Sequence, residues 1–186
     1  PVRTGVSLGD TLASLYGTIG ALIALHNVKT NRGAGQYVDV ALYESVFAVM
    51  ESLVREYAAL GHERERSGSS LPGVSPSNTY IGSDGRYVVL AGSSDGIFRR
   101  LMLAIHRNDL ADDPTLAHND GRVAQNQRLD EAITAWTSQQ TLEKILECLE
   151  AADVPCSPVY SAADIFADMH YRARRMIETW SLPDGT

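Results

Sequence analysis

The sequence predicts an α/β chain: part of an open sheet with its helices, followed by a smaller α+β unit. Three observations carry this. A helix-length apolar run, a Gly-rich turn, an alternating segment and a second helical run succeed one another over residues 10–60, the order of an open α/β layer. A stretch of mixed charge, serine, glycine and proline over residues 61–77 then breaks the pattern as a loop or linker does. Beyond it, a hairpin signal and about three amphipathic helices fill residues 78–160.

The first helix is expected from Asp10 to Val28. Leu12, Leu15, Tyr16, Ile19, Leu22, Ile23 and Leu25 fall on nearly every face, the pattern of a central helix covered on several sides. Gly17 and Gly20 lower its stability and suit close approach of another backbone or a ligand. Lys29–Gln36 is a polar turn. Its glycines lie between helix and strand, the wrong order for a phosphate loop. Tyr37–Leu42 alternates as a strand, and Tyr43–Leu60 reads as one long helix with Val46, Phe47, Val49, Met50, Leu53, Val54 and Tyr57 inward and Gly61 as C-cap. The loop after it suits either a solvated spacer or a mobile active-site loop.

Asn78–Gly82 and Arg86–Ala91 flank Ser83-Asp84-Gly85, and Asp-Gly is a strong hairpin dipeptide. Gly92–Asp95 opens a helix to about His106 with Phe98, Leu101, Met102 and Ile105 as its stripe. Asp109–Asn119 is irregular. Arg122–Ser138 reads as a helix with Val123, Leu129, Ile133 and Trp136 inward, and Thr141 caps another to Ala152. Val154–Val159, with its prolines, suits an edge strand or coil; Ser161–Asp164 resembles a capping box; Met176–Trp180 reads as a last strand.

Composition excludes several functions. A net charge of -7 argues against non-specific binding to nucleic acid or to an anionic membrane surface. Leu12–Leu25, interrupted by Ser14, Thr18 and two glycines, is too short and too polar an apolar run to span a bilayer. Cys148 and Cys156 form no disulfide framework and point to a reducing, cytoplasmic setting. The start at Pro1 without methionine, and the turn Leu182–Thr186 at the other end, predict a piece of a longer chain.

Little of the usual chemistry is written in the motifs. His26, His62, His106, His118 and His170 show no metal spacing and read as surface residues; no metal is expected. Neither cysteine lies in a nucleophile motif, Ser67–Ser70 lacks the hydrolase elbow, and Asp112 and Asp113 beside Pro114 look like turn residues. Asp10 remains, at the junction of the Gly-containing stretch Thr4–Gly9 and the apolar helix. The unpaired N–H groups and positive dipole of a helix start suit a carboxylate there, as a cap or as a reactive anion.

Taken together, several segments resemble the family III CoA-transferases, the group of formyl-CoA transferase, carnitine CoA-transferase and α-methylacyl-CoA racemase. They are Arg3–Asp10 with the helix holding Gly17 and Gly20, Lys29-Thr30 with Gly35–Val40, Pro76–Tyr80, Asp84–Ala91, Phe98–Leu101, Asp113-Pro114, Asn119 with Arg122-Val123, and Val154–Pro158. Their order and spacing over more than a hundred residues make the match specific.

The resemblance implies that Asp10 is the catalytic nucleophile. Its carboxylate would attack an acyl-CoA carbonyl to give a mixed anhydride, which the released CoA thiolate converts to an aspartyl-CoA thioester. An incoming carboxylic acid takes the CoA by the reverse steps. Coenzyme A and acyl-CoA are then substrates, with no permanently bound cofactor. A racemase or epimerase using Asp10 as general base, and a non-catalytic fragment, are the alternatives. The implied fold is a large Rossmann-like domain and a small domain in a homodimer of interlocked rings. Residues 1–66 would belong to the large domain and linker helix, 67–165 to the small domain, and 166–186 would lead back to the large domain. Two departures are visible. The half that supplies most CoA contacts in the family is absent, so this piece alone is expected to be inactive. The segment matching the family's glycine-rich loop over the nucleophile, Ser67–Gly73, is poorer in glycine.

Overall fold

The computed structural model describes residues 4–180. The chain divides into two compact units, one up to Arg66 and one from Ser67 onward.

In the first unit, α1 (Leu8–Asn31) is a 24-residue helix closed by Arg32 in the left-handed conformation. It packs against α2 (Leu42–Phe47), where Gly9 lets Val46 approach to 3.6 Å of where a Cβ would stand. None of its residues is buried; Leu22 and Ile23 are each 61% exposed. The expected covering on several sides is therefore not supplied within this unit, which offers only α2 and the segment after α1. Length needs correcting too: at 24 residues α1 is long and apolar enough to cross a bilayer. Those same properties describe the core helix of a soluble protein.

Tyr37–Leu42 is not a strand. Residues 37–41 have no ladder partner and Leu42 already opens α2; Val38 packs on α1, its Cγ1 2.7 Å from the position a Cβ on Gly20 would take. The long helix expected over residues 43–60 is broken into α2 and α3 (Leu53–Leu60) by a turn in which Glu51 takes a positive φ of 54°. Ser45 is its buried residue; Phe47, Val49, Met50, Val54 and Tyr57 are exposed rather than inward. Gly61 closes α3 as expected, with φ 65° and its N–H on the Tyr57 carbonyl.

The stretch after Gly61 folds back on α3. Arg64 donates to both carboxylate oxygens of Glu56, at 2.7 and 2.6 Å, and to Ser52 Oγ at 2.8 Å. The bonds Glu56 accepts, from Arg64 first and from Ser52 Oγ at 2.6 Å next, hold it down to a pKa of about 2. Because the folded value lies below the ordinary one, the pair contributes stability above the usual carboxylate range and loses it as pH falls through about 2. An NMR titration of Glu56 is expected to show that midpoint, with Arg64→Ala returning it to the ordinary range; a wild-type midpoint in the ordinary range would contradict the pairing.

The second unit is built on a three-stranded antiparallel sheet of β1 (Ser77–Ile81), β2 (Tyr87–Ala91) and β3 (Cys156–Pro158), in the order β1-β2-β3. Tyr80 pairs with Val88, and Leu90 with Cys156. Tyr80, Val88 and Leu90 face the core, while Ile81, Tyr87 and Val89 stay exposed. The hairpin turn forms where Asp-Gly predicts it, with Gly85 at φ 76°.

Over the inner face lie α4 (Asp95–Ala104), α7 (Asn126–Thr137) and α8 (Leu142–Ala151), which contribute Phe98, Leu101, Met102, Leu129, Ile133, Leu142, Ile145 and Leu149 to one cluster. The helix expected over residues 122–138 is two, α6 (Asn119–Ala124) and α7, divided at Gln125, and Val123 is 37% exposed rather than inward. Between α4 and α6 come α5 (Asn108–Ala111) and a 3-10 turn at Pro114–Leu116, capped by Asp113 through the Thr115 N–H. Thr141 sits at the N-cap of α8 without bonding it by its side chain; Asp84 in the hairpin turn takes the Leu142 N–H instead, at 3.0 Å. A full capping box at Ser161 and Asp164 opens α9 (Ala162–Ala167), followed by α10 (Met169–Ala173). Met176–Trp180 is not the expected strand and has no regular structure.

Candidate active site

Asp10 is the third residue of α1, not its cap. Ser7 is the N-cap and makes no side-chain bond. The chain enters through a tight turn: Leu8 N–H bonds the Val6 carbonyl at 2.9 Å, and Thr11 bonds the Ser7 carbonyl through N–H and Oγ1 at 3.0 and 2.9 Å. Among the described residues, the N–H groups of Gly9 and Asp10 have no backbone acceptor, as expected of a first turn. Asp10 is exposed. An exposed carboxylate beside free N–H donors at the positive end of a helix can meet an electrophile, and those donors can stabilise charge that develops on it.

Among the described residues, no side-chain hydrogen bond or ion pair joins Asp10 to a second acid or base. An open cavity of about 190 Å³ lies further along α1, beside Tyr16, Asp39, Glu44 and Ser45; Asp10 does not line it.

In the second unit the five-histidine expectation holds where it applies: His106, His118 and His170 are exposed, as are His26 and His62 in the first. His118 Nδ1 lies 2.9 Å from Asp95 Oδ2. Burial pushes both thiols above their ordinary value, Cys148 beside the Ala104 carbonyl and Cys156 on β3, which makes them poor nucleophiles.

Sequence reasoning passed over the most heavily bonded side chain, Arg122. It is fully buried, donates to the carbonyls of Ser75, Ser93, Leu116 and Ala117, and reaches Asp95 Oδ1 at 2.8 Å. Its guanidinium also stacks 5.0 Å from the Phe98 ring centre. Asn119 and Asn126, on α6 and α7, join it in holding the segment before β1. The sequence carried no clear signal for it: Arg122 has His118, Asn119, Gln125 and Asn126 as its helical neighbours and reads as a solvated charge unless a partner is known.

The geometry thus offers an exposed carboxylate in the first turn of a long apolar helix, followed in the chain by a small α+β unit. The description CoA-transferase family III matches residues 1–186, and the chain belongs to that family. It is 41% identical over 177 residues to the succinyl-CoA–D-citramalate CoA-transferase of Chloroflexus aurantiacus, covering 95% of this chain and 44% of that protein. It is 36% identical over 177 residues to the succinyl-CoA:mesaconate CoA-transferase of Haloarcula hispanica, covering 95% and 43%. Among solved structures, a CAIB/BAIF family protein from Brucella suis superposes with a TM-score of 0.77 at 32% identity, over 95% of this chain and 46% of that one. The chain thus spans less than half the length of the curated relatives it matches.

Proposed function

We propose that the full-length protein transfers CoA from an acyl-CoA to a small carboxylic acid through Asp10. The observation that carries the reading is the family match along the whole chain, with Asp10 exposed in the first turn of α1. The steps balance without a proton donor. An Asp10 carboxylate oxygen bonds the thioester carbon and CoA leaves as thiolate. The thiolate attacks the Asp10 acyl carbon of the anhydride and releases the donor acid as carboxylate. The acceptor carboxylate repeats the first step on the aspartyl-CoA thioester, and the thiolate then takes the acceptor acyl group, freeing Asp10.

Both named relatives use succinyl-CoA with a five-carbon dicarboxylic acid, citramalate or mesaconate. Succinyl-CoA as donor and a short dicarboxylate as acceptor are accordingly the first pair to try. The resemblance further supports a homodimer of interlocked rings in the cytoplasm, with CoA a substrate and not a resident cofactor, and with α1 an interior helix rather than a membrane span. The chain as it stands, with α1 uncovered, is expected to bind no CoA by itself.

The test is an assay of the full-length protein with succinyl-CoA and a panel of dicarboxylates. New acyl-CoA formed in step with free succinate is the expected result. Exchange of the α-proton of an acyl-CoA in deuterium oxide without any acceptor acid would instead establish a racemase.

A further inference from the structure

The loop read from composition over residues 61–77 would reach about 60 Å if it were free along its length. It is not free, because each end is fastened to its own unit. On the first unit, Arg64 reaches back to α3 and donates to both carboxylate oxygens of Glu56 and to Ser52 Oγ, all within 2.8 Å. With the Glu56 pKa held at about 2, this clamp stays charged from mildly acid pH upward. On the second unit, the Ser67 carbonyl accepts from the Ser70 N–H at 3.2 Å and from Ser70 Oγ at 2.8 Å, closing a turn in which Gly68 takes a φ of 64°. Ser69 Oγ then donates to Asn78 Oδ1 at 2.6 Å, and the Leu71 N–H to the Ser77 carbonyl at 3.2 Å. Asn119 holds the Gly73 carbonyl and the Ser75 N–H beyond them. Between the two clamps stand Glu65 and Arg66. Both are exposed, and among the described residues neither makes a hydrogen bond or an ion pair.

We propose that bending of the chain between the two units is confined to a two-residue hinge, Glu65–Arg66, whose length the Arg64 clamp sets. From the Arg64 Cα to the Ser67 Cα this hinge reaches about 11 Å at most. It permits rotation at one point with little translation, and so keeps the effective concentration of each unit near the other high. Releasing Arg64 lengthens the tether back to Gly61, where α3 ends. The hinge holds for any arrangement of the two units and does not depend on the Asp10 chemistry.

Modification of the native, full-length protein with phenylglyoxal, mapped by mass spectrometry, reads the clamp end, because a bonded guanidinium must let go before it reacts. Arg66 is expected to react within about threefold of its rate in a synthetic peptide of residues 58–74, and Arg64 about tenfold or more slowly. In Glu56→Ala, Arg64 speeds up to within about threefold of Arg66. Hydrogen exchange of the same protein reads the other end. The amides of Leu71, Val74 and Ser75, all bonded, are expected to exchange at least about tenfold more slowly than those of Glu65 and Arg66. Arg64 reacting as fast as Arg66 in the wild type would overturn the proposal, as would an unchanged Arg64 rate in Glu56→Ala. Exchange at Leu71, Val74 and Ser75 as fast as at Glu65 and Arg66 would overturn it equally.

Discussion

Replacing Asp10 with alanine in the full-length protein is expected to lower kcat for CoA transfer by about a thousandfold or more, with little change in stability. The size follows from the role. In the proposed reaction both halves pass through a covalent bond to this carboxylate, so its loss would remove the route and not one contact within it. Stability should hold because Asp10 is exposed and caps nothing: Ser7 holds the cap position. Asp10→Asn keeps shape and should fail equally, since an amide is neither the nucleophile nor a carboxylate that can form the anhydride. Steady-state rates alongside thermal unfolding check both statements, and activity within tenfold of wild type in either variant would remove Asp10 from the mechanism.

Arg122→Met is expected to destabilise the second unit by about 3–5 kcal/mol, as removing one partner of a buried charged network does. Four carbonyls, of Ser75, Ser93, Leu116 and Ala117, lose a charged donor, and the methionine offers nothing in return. Arg122→Lys should cost roughly half as much, because three ammonium donors cannot reach five acceptors and do not stack as a plane over Phe98. Arg99→Ala is the control. Its pair with Asp112 is exposed on both sides and should be worth at most about 1 kcal/mol. Urea unfolding followed by Trp136 fluorescence orders the three. An Arg122→Met cost no larger than that of Arg99→Ala would show that the buried network is not holding the unit.

The second unit was legible because its signals are local. Asp84-Gly85 sets a turn whatever surrounds it, and the stripe of Phe98, Leu101, Met102 and Ile105 finds its cover within the same unit. The first unit was legible only in part. Tyr37–Leu42 has the alternation of a strand, but a strand exists by pairing, and no described residue pairs with it. The break between α2 and α3 likewise follows from no glycine or proline; a glutamate, Glu51, takes the positive φ. At the site, residue type and position marked Asp10 but could not choose between cap and nucleophile, and the resemblance supplied the choice. Asn119 and Arg122 stood inside matched segments, and Asn126 outside them, all with no role attached, because their partners are groups distant in sequence, such as the Ser75 N–H, carbonyl and hydroxyl. No spacing rule announces such a partner.

The most direct measurement of the central claim is a trap of the covalent intermediate. The full-length protein is mixed with succinyl-CoA without acceptor, quenched with hydroxylamine, and digested for mass spectrometry. The peptide containing Asp10 is expected to carry the mass of an aspartyl hydroxamate, absent when succinyl-CoA is omitted. Active enzyme that turns over under the same conditions with Asp10 unmodified, or with the label on another residue, would contradict it.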